Sequence, residues 1–260
     1  MWGVGFAVVL WFSVAPTDSR AFTKAASVTV NDGPANGAWY WQKSSHTFAN
    51  GMQAPIEALY RPQNYWPAHA RIFVKLPLKG VSAGPGLAFD DNLTLNFSTG
   101  AAHISTVTSN PLQMTVTSDG KVVKKIQVSL GAAKTPTYSG VKAVMQKGED
   151  IPGTDTRKPD GIVHMTGPGY SEDVKWSTRI TASGEYIHGA PWNTHIGQIS
   201  TSNGCTNLQL DTAQWFYNFA QLGDVVIYNI PSTTMPSWDG YGWWNLPWND
   251  WKSGGLLLNH

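Results

Sequence analysis

Cysteine is almost missing from this sequence, because Cys205 is the only one among 260 residues. A lone cysteine can form no internal disulfide, so a fold stapled by disulfides is excluded. Three roles remain for it: a buried inert thiol, a site of pairing with another molecule, or a nucleophile. Small and turn-forming residues surround Cys205, whereas a structural thiol more often lies within a run of valine or leucine.

Charge is also scarce. Charged residues make up 13% of the chain, against about 25% in an average soluble domain. The 18 basic and 17 acidic residues leave a net charge of +1, so there is no strongly basic composition of the kind that nucleic-acid binding requires. A hydrophobic content of 42% is too high for a disordered chain. The length suits one large domain or two ordinary ones with a buried core.

Long hydrophobic runs are missing too. The apolar stretch at residues 3–15 is too short to span a bilayer, and no other segment approaches that length. No basic residue precedes this stretch, since the first is Arg20, so it lacks the positive start of an export signal. We interpret residues 6–14 as a buried strand, and the core of a signal peptide is the alternative.

Turn formers and tryptophan are abundant, with 26 Gly, 16 Pro and 13 Trp, and this composition favours strands joined by turns. Short segments rich in Val, Phe, Tyr and Trp predict six strands at regular spacing, a pattern typical of a β-sandwich. These strands are predicted at 2–14, 26–30, 38–42, 54–60, 70–76 and 93–98. Residues 99–102 predict a domain boundary.

A second strand-rich region follows the boundary. Its strands are predicted at 103–109, 113–118, 121–130, 140–146, 176–181, 184–187 and 223–228. Asp119-Gly120 predicts a two-residue hairpin turn. Residues 211–223 predict a helix that starts at a capping Asp211, ends at Gly223 and turns Trp215, Phe219 and Leu222 to the core. Residues 147–170 show no period and are predicted to be a long loop, and loops of this length are usually functional.

The C-terminal segment is rich in tryptophan, with five between residues 238 and 251. So many large aromatic side chains predict a tail that packs back on the body of the protein. An aromatic strip that binds sugars is the alternative.

Chemistry is concentrated around Cys205 and His188. His188 ends a predicted strand and begins a turn, so its ring can project from a sheet edge. A cysteine and a histidine on neighbouring loops meet the basic need of thiol acyl transfer, which is a thiolate and a base to generate it. Gly204 lets the backbone before the nucleophile turn its N–H groups toward an oxyanion. The alternative for His188 is a structural histidine.

The motifs around these residues make the chemistry more specific. His-x-Ala-Pro-Trp from His188, followed by Ser-x-Gly-Cys-x-Asn from Ser202, resembles the L,D-transpeptidase family of bacterial cell-wall enzymes. Further segments resemble its actinobacterial, mycobacterial-type members: 213–217, 223–226 and 239–248 in the second region, and 37–41 and 65–67 in the first. The resemblance covers essentially the whole chain.

The resemblance implies a mainly β fold in three parts. Residues 1–99 would form an Ig-like β-sandwich, residues 100–232 a β-rich catalytic domain with one clear helix, and residues 233–260 the Trp-rich tail. It also implies that the chain begins inside an Ig-like domain and that upstream residues, including any export signal or lipid anchor, are missing. The protein would then act outside the cytoplasmic membrane, in the cell envelope.

The family's reaction is a two-step acyl transfer between peptidoglycan stem peptides through a cysteine thioester. The resemblance implies that Cys205 is the nucleophile, that His188 is the base, and that the carbonyl of Gly189 orients the imidazole ring. Backbone N–H groups at Gly204 and Cys205 would form the oxyanion hole. The implied partners are donor and acceptor stem peptides, with carbapenem-type β-lactams as inhibitors, and no cofactor or metal.

Five further positions match the substrate site of the family. Their side chains are polar or aromatic, and they are Tyr170, Trp192, Ser202, Asn203 and Asn207. Tyr170 would belong to a lid over the donor groove, formed by residues 147–170.

Asn203 departs from the family pattern, which has histidine at this position. Asparagine keeps hydrogen-bonding capacity but cannot hold a proton. The sequence therefore predicts an active but handicapped transpeptidase. A catalytically impaired module that binds peptidoglycan stems, and an enzyme that hydrolyses the same bond, are the alternatives.

Overall fold

The computed structural model describes residues 1–148, 159–167 and 170–257. The chain forms two compact units, each made of separate stretches of sequence. The first unit holds Met1, residues 6–100 and the residues from Leu246 onward, and the second holds residues 2–5 and 101–245. Strands predominate in both, so the predicted mainly β fold class is confirmed.

The described residues of the first unit form nine strands and two short helices. In chain order they are β1 (Val8–Phe12), α1 (Arg20–Ala25), β2 (Ser27–Val30), β3 (Gly33–Pro34), β4 (Gly37–Lys43), β5 (Ile56–Pro62), β6 (Arg71–Leu76), β7 (Ser82–Gly84), β8 (Leu87–Ala88), β9 (Leu93–Ser98) and, near the C-terminus, α3 (Trp248–Lys252). One sheet has the order β1-β5-β4, another has the order β3-β2-β6-β9, and β7 and β8 form a hairpin.

Alternate side chains of β4 and β6 are buried, and these side chains contribute to the core of the first unit. In β6, Ile72, Val74 and Leu76 are buried while the residues between them are exposed, which is the period of a strand with one covered face. In β4 the same alternation buries Trp39 and Trp41, and Phe22 of α1 lies 5.0 Å from each of their rings, edge-on.

Helix α3 completes the first unit. Trp251 is fully buried, stacks on Tyr40 at 4.8 Å, and donates from Nε1 to the carbonyl of Ala38 at 2.9 Å. The guanidinium of Arg61 lies 4.5 Å from the centre of the same ring.

The tryptophans of the C-terminal segment differ in exposure. Trp243 and Trp251 are buried, whereas Trp238 is 72% exposed, so the tryptophans of this segment do not share one exposed surface.

Among the described residues, the second unit contains a five-stranded sheet, a four-stranded sheet and a two-stranded pair. Its elements are β10 (His103–Ser109), β11 (Leu112–Ser118), β12 (Lys121–Gln127), β13 (Gly140–Ala143), β14 (Gln146–Lys147), β15 (Val163–Gly167), β16 (Tyr170–Val174), β17 (Thr178–Arg179), β18 (Tyr186–Gly189), β19 (Thr206–Leu208), α2 (Leu210–Phe219) and β20 (Val225–Asn229). The larger sheet has the order β12-β11-β10-β20-β13, the smaller has the order β14-β17-β18-β19, and β15 and β16 form the pair.

The hairpin between β11 and β12 forms as predicted. Ser118 pairs with Lys121, and Asp119 and Gly120 both have positive φ, at 47° and 77°. Positive φ at both central residues is the conformation of the type I′ turn, which suits two-residue hairpins.

The core of the second unit includes residues of both sheets and of α2. Val107 and Met114 come from the larger sheet, Ile187 and Leu208 from the smaller one, and Phe216 from the helix. The helix is shorter than predicted and begins after Gln209, so Asp211 is not its cap.

Part of the predicted loop at 147–170 is a strand. Residues 163–167 form β15 and pair antiparallel with β16, so the loop prediction is wrong there. Residues 159–161 form a short 3-10 helix and Lys147 belongs to β14, so the loop prediction is wrong at these positions as well. Residues 149–158 and 168–169 of the predicted lid lie outside the described residues, as does the side chain of Tyr170.

The N-terminal apolar stretch holds a strand, β1, that is shorter than the predicted 2–14. Just before it, the backbone N–H groups of Gly3 and Gly5 donate to the carbonyls of Leu222 and Gly223. Across the described part of the chain, no helix is both long and apolar enough to cross a membrane.

Candidate active site

Parallel pairing of β18 and β19 brings the predicted site residues together. In the register of these strands, His188 lies opposite Asn207, and Ile187 lies opposite Thr206, the neighbour of Cys205. A cavity of about 420 Å³ opens at this point. Its lining residues are Met165, Glu172, Val174, His188, Trp192, Asn193, Thr194, His195, Thr201, Ser202, Asn203, Cys205 and Asn207.

His188 is held in one tautomer. Its Nδ1 lies 2.9 Å from the carbonyl oxygen of Gly189. A carbonyl can only accept, so Nδ1 carries the proton and Nε2 is left as the proton acceptor of the neutral ring. Burial lowers the pKa of His188 to about 4, and the Gly189 carbonyl opposes this shift only partly. The imidazole is therefore neutral at pH 7.

Gly189 has a packing reason to be glycine. A Cβ at this position would lie 2.8 Å from Leu210 Cδ1 and 3.4 Å from the Cβ of Ala213, both on α2. Its N–H donates to the carbonyl of Lys175 at 3.0 Å. Close contact with the helix and this hydrogen bond fix the carbonyl that faces the His188 ring.

Backbone groups on each side of Glu185 contact the Cys205 sulfur. The thiol donates to the carbonyl of Gly184 at 3.8 Å, and the N–H of Tyr186 donates to the sulfur. Cys205 is partly exposed on the cavity wall.

Cys205 rests as a thiol. Burial raises its pKa to about 11; the Tyr186 N–H lowers it, the Glu185 carboxylate adds to the rise, and the Lys142 ammonium opposes it. In the described part of the chain, no hydrogen bond joins Cys205 directly to His188. The resting pair is thus a neutral thiol and a neutral imidazole on one cavity wall.

The turn before Cys205 is stabilised from within. Gly204 has φ of +106°, a conformation that strongly favours glycine. The Ser202 hydroxyl donates to the carbonyl of Cys205 at 2.5 Å and accepts from the N–H of Gly204 at 3.2 Å. Thr137 Oγ1 donates to the Gly204 carbonyl at 2.8 Å. The Ser202 hydroxyl and the Gly204 N–H, both predicted to meet substrate, are thus hydrogen-bonded to each other.

The other predicted substrate residues differ in their surroundings. Trp192 is 52% exposed, and its ring lies 6.2 Å from that of His188. Asn203 is exposed on the cavity wall. Asn207 is buried, and its Oδ1 has no hydrogen-bond partner among the described residues. A buried acceptor without a partner is costly, so this oxygen is suited to receive a donor from a bound molecule.

Sequence reasoning missed part of the cavity wall. Met165, Glu172 and Val174 belong to the β15–β16 hairpin and line the cavity. The sequence did contain a signal for two strands joined by a turn. Gly-Pro-Gly at 167–169, a turn-forming sequence, lies between two short segments that each contain a valine. His195 also lines the cavity, on the loop between β18 and β19.

A mainly β fold with a cysteine and a histidine on one cavity wall is typical of a class of thiol acyltransferases, and comparison with known proteins identifies the family. Residues 103–227 match the L,D-transpeptidase catalytic domain, and residues 1–82 match a bacterial Ig domain. L,D-transpeptidase 1 of Mycobacterium tuberculosis is 30% identical over 227 residues, which cover 86% of this chain and 78% of that protein. The chain belongs to the L,D-transpeptidase family, so the resemblance seen in its sequence is confirmed.

Two further relatives show the extent of the likeness. L,D-transpeptidase 2 of Mycobacterium tuberculosis is 34% identical over 254 residues, which are 97% of this chain but 59% of that longer protein. The solved structure of the L,D-transpeptidase LdtMt1 in complex with imipenem has a TM-score of 0.66 and 25% identity, and covers 87% of this chain and 93% of that one.

Proposed function

We propose that this chain is a peptidoglycan L,D-transpeptidase that acts through a Cys205 thioester, outside the cytoplasmic membrane. The observation that carries the proposal is the shared cavity wall, where the only cysteine of the chain lies with a histidine whose Nε2 is free to accept a proton. Membership of the family supports the same reaction.

The first half-reaction forms the thioester. Nε2 of His188 takes the thiol proton, and the Cys205 thiolate attacks the carbonyl carbon of the bond between diaminopimelate and terminal D-alanine. The protonated His188 then gives its proton to the leaving amine, so D-alanine departs and the acyl group stays on sulfur. The Gly189 carbonyl, at 2.9 Å, keeps the ring oriented in both steps.

The second half-reaction transfers the acyl group. The side-chain amine of diaminopimelate on an acceptor stem attacks the thioester carbonyl, loses its proton to His188, and forms the crosslinking amide. The Cys205 sulfur leaves as thiolate and recovers the proton, which restores the neutral resting pair.

The neutral resting pair has a kinetic consequence. Since the pKa of Cys205 is raised and that of His188 lowered, both by burial, proton transfer from the thiol to the imidazole is uphill. Bound substrate must therefore change the surroundings of the pair. Asn207 Oδ1, which is buried and has no partner among the described residues, can accept an N–H of the stem, and the exposed ring of Trp192 lines the same cavity.

Intact-protein mass spectrometry tests the proposal. Incubation with a stem tetrapeptide is expected to add the mass of the acyl fragment without D-alanine, and incubation with a carbapenem is expected to add the whole drug. Both adducts should map to Cys205 and disappear in Cys205→Ala. His188→Gln should keep the thiol but form adducts at least a hundredfold more slowly, because general-base assistance contributes about 10²–10⁴-fold. A folded wild-type protein that forms neither adduct would refute the nucleophile assignment.

The second candidate is a stem-binding module without catalysis. The observation that favours it is Asn203 on the cavity wall, which cannot donate a charge-assisted hydrogen bond toward the thiolate. Binding of stem tetrapeptide by calorimetry, with no mass change over many hours in wild type, would select this function over the enzyme.

A further inference from the structure

A buried ion pair lies behind the nucleophile. The ammonium of Lys142, on β13, bonds the carboxylate of Glu185, just before β18. The Lys142 side chain is fully buried and that of Glu185 is 9% exposed. Replacing such a pair by apolar residues is often neutral or stabilising, so stability alone does not explain why the core carries one.

The pair is held on several sides. Glu185 Oε1 accepts from the N–H of Tyr138 at 2.7 Å, while Oε2 binds Lys142. The Lys142 ammonium also lies 3.9 Å from the centre of the Tyr228 ring, whose hydroxyl is 2.6 Å from that of Thr206. Both oxygens of the carboxylate therefore have fixed partners, and the Glu185 side chain has one position.

Glu185 is placed where it can act on Cys205 through the backbone. Its two neighbours in sequence, Gly184 and Tyr186, supply the carbonyl and the N–H that contact the sulfur. Anchoring the side chain of the middle residue to β13 and to Tyr138 fixes both of these backbone groups at once.

The carboxylate also faces the nucleophile turn. A Cβ built on Gly204 would lie 3.8 Å from Glu185 Oε1. Glu185, Gly204 and Asn203 line a second cavity of about 340 Å³, and Lys142 is not on its wall. The carboxylate of the pair therefore faces the turn that precedes Cys205.

We propose that the Lys142–Glu185 pair is the positioning device of the nucleophile: it anchors the 184–186 backbone against the sulfur and sets a negative charge beside the thiol. This proposal rests on the proposed role of Cys205 as nucleophile. Glu185 and Lys142 are positioning residues, since neither touches the reacting atoms.

The electrostatic part of the proposal has a defined sign. The titratable groups described around the sulfur are His188 on β18, Glu185 just before it, Lys142 on β13, Tyr228 on β20 and the buried Asp239. Glu172 of β16 and His195 of the loop between β18 and β19 line the same cavity as Cys205. Among the charges acting on Cys205, the carboxylate of Glu185 raises the thiol pKa more than the ammonium of Lys142 lowers it. Neutralising Glu185 should therefore favour the thiolate.

Alkylation and acylation rates of Cys205 test the two parts separately. Iodoacetamide needs no bound geometry, so its rate at fixed pH between 7 and 9 follows the thiolate. Glu185→Gln should raise this rate about threefold or more, since a thiol pKa lower by one unit gives tenfold more thiolate of somewhat weaker nucleophilicity. Carbapenem acylation needs the positioned sulfur, so the ratio of acylation rate to alkylation rate should fall at least tenfold.

A matched control is a second buried pair among the described residues of the second unit. His103 and Asp224 are 3.0 Å apart, with side chains 11% and 5% exposed, and neither lines the two cavities. His103→Gln should leave both the alkylation rate and the ratio at their wild-type values. Should Glu185→Gln not fold, the double variant Lys142→Met/Glu185→Gln removes both charges. The same loss of the acylation-to-alkylation ratio is expected of it, with a smaller rise in the alkylation rate, because the ammonium that lowers the thiol pKa is also gone.

Two results would overturn the proposal. One is an alkylation rate that is unchanged or slower in the folded Glu185 variant, and the other is an unchanged ratio of acylation to alkylation. A wild-type protein that forms no carbapenem adduct would instead count against the proposed function, because the iodoacetamide comparison needs no transpeptidase activity.

Discussion

The buried, neutral His188 should make the second unit sensitive to acid. The side chain is 4% exposed, and its pKa falls from about 6.5 in the unfolded chain to about 4 in the fold. Between these two values the unfolded state binds more protons than the folded one, so stability increases with pH through this window and is lost as pH falls. The difference of about 2.5 pKa units is equivalent to about 3 kcal/mol at about 1.36 kcal/mol per unit.

Most of this loss falls between pH 7 and pH 4.5, where linkage gives about 2 kcal/mol. His188→Gln keeps a neutral polar side chain and removes the titration. Other groups with shifted pKa, such as Glu185 and Asp224, are present in both proteins and cancel in the comparison.

Hydrogen exchange is a suitable assay because it reports on one unit at a time. Protection factors of amides in α2 and β20 should fall about 30-fold more in wild type than in His188→Gln over this pH interval, the ratio equivalent to about 2 kcal/mol. The same loss of protection in both proteins would refute the assignment of a depressed pKa to His188, and with it the neutral resting pair.

Three further outcomes are expected. Trp251→Ala should destabilise the first unit by about 3–5 kcal/mol, seen as faster exchange in β4, because it removes a fully buried ring that stacks on Tyr40; normal exchange there would contradict the packing. Gly140→Ala should lower the free energy of unfolding of the second unit by about 1–3 kcal/mol, because Gly140 has φ of +94°, a conformation that is strained for alanine. Urea unfolding, followed by a probe on β13, measures this loss. Asn203→His should accelerate carbapenem acylation several-fold near pH 7, because a charge-assisted bond replaces a neutral one, and no change would favour the binding module.

The parts of the fold that the sequence predicted are those set by local chemistry. The Asp119–Gly120 turn fixes its own hairpin, and the strand predicted at 103–109 has the bounds of β10. The Cys205 and His188 motifs predicted residues that parallel pairing of two short strands then places on one cavity wall. Their catalytic roles stay predictions.

Other features depend on tertiary contacts that no local pattern carries. The predicted core stripe is only partly buried: Trp215 and Phe219 of α2 and Leu222, which lies beyond the end of the helix, pack against the core cluster, while Ala213 and Phe216 are the buried residues of the helix. The small side chain of Ala213 allows α2 to approach Gly189 closely, whereas the rings of Trp215 and Phe219 are only partly buried. The Lys142–Glu185 pair was missed because a charged residue in a short strand normally indicates a solvent-facing position.

The division of the chain between its two units limits how the protein can be dissected. Neither unit is a continuous segment, since residues 2–5 belong with the second unit and the residues from Leu246 onward with the first. A recombinant fragment cut at residue 100 would therefore lack α3 and its Trp251, and the complementary fragment would lack Gly3 and Gly5, whose N–H groups bond the chain before β20. During synthesis, the first unit can complete its packing only after the second unit's segment at 101–245 has been made, because α3 follows that segment in the chain.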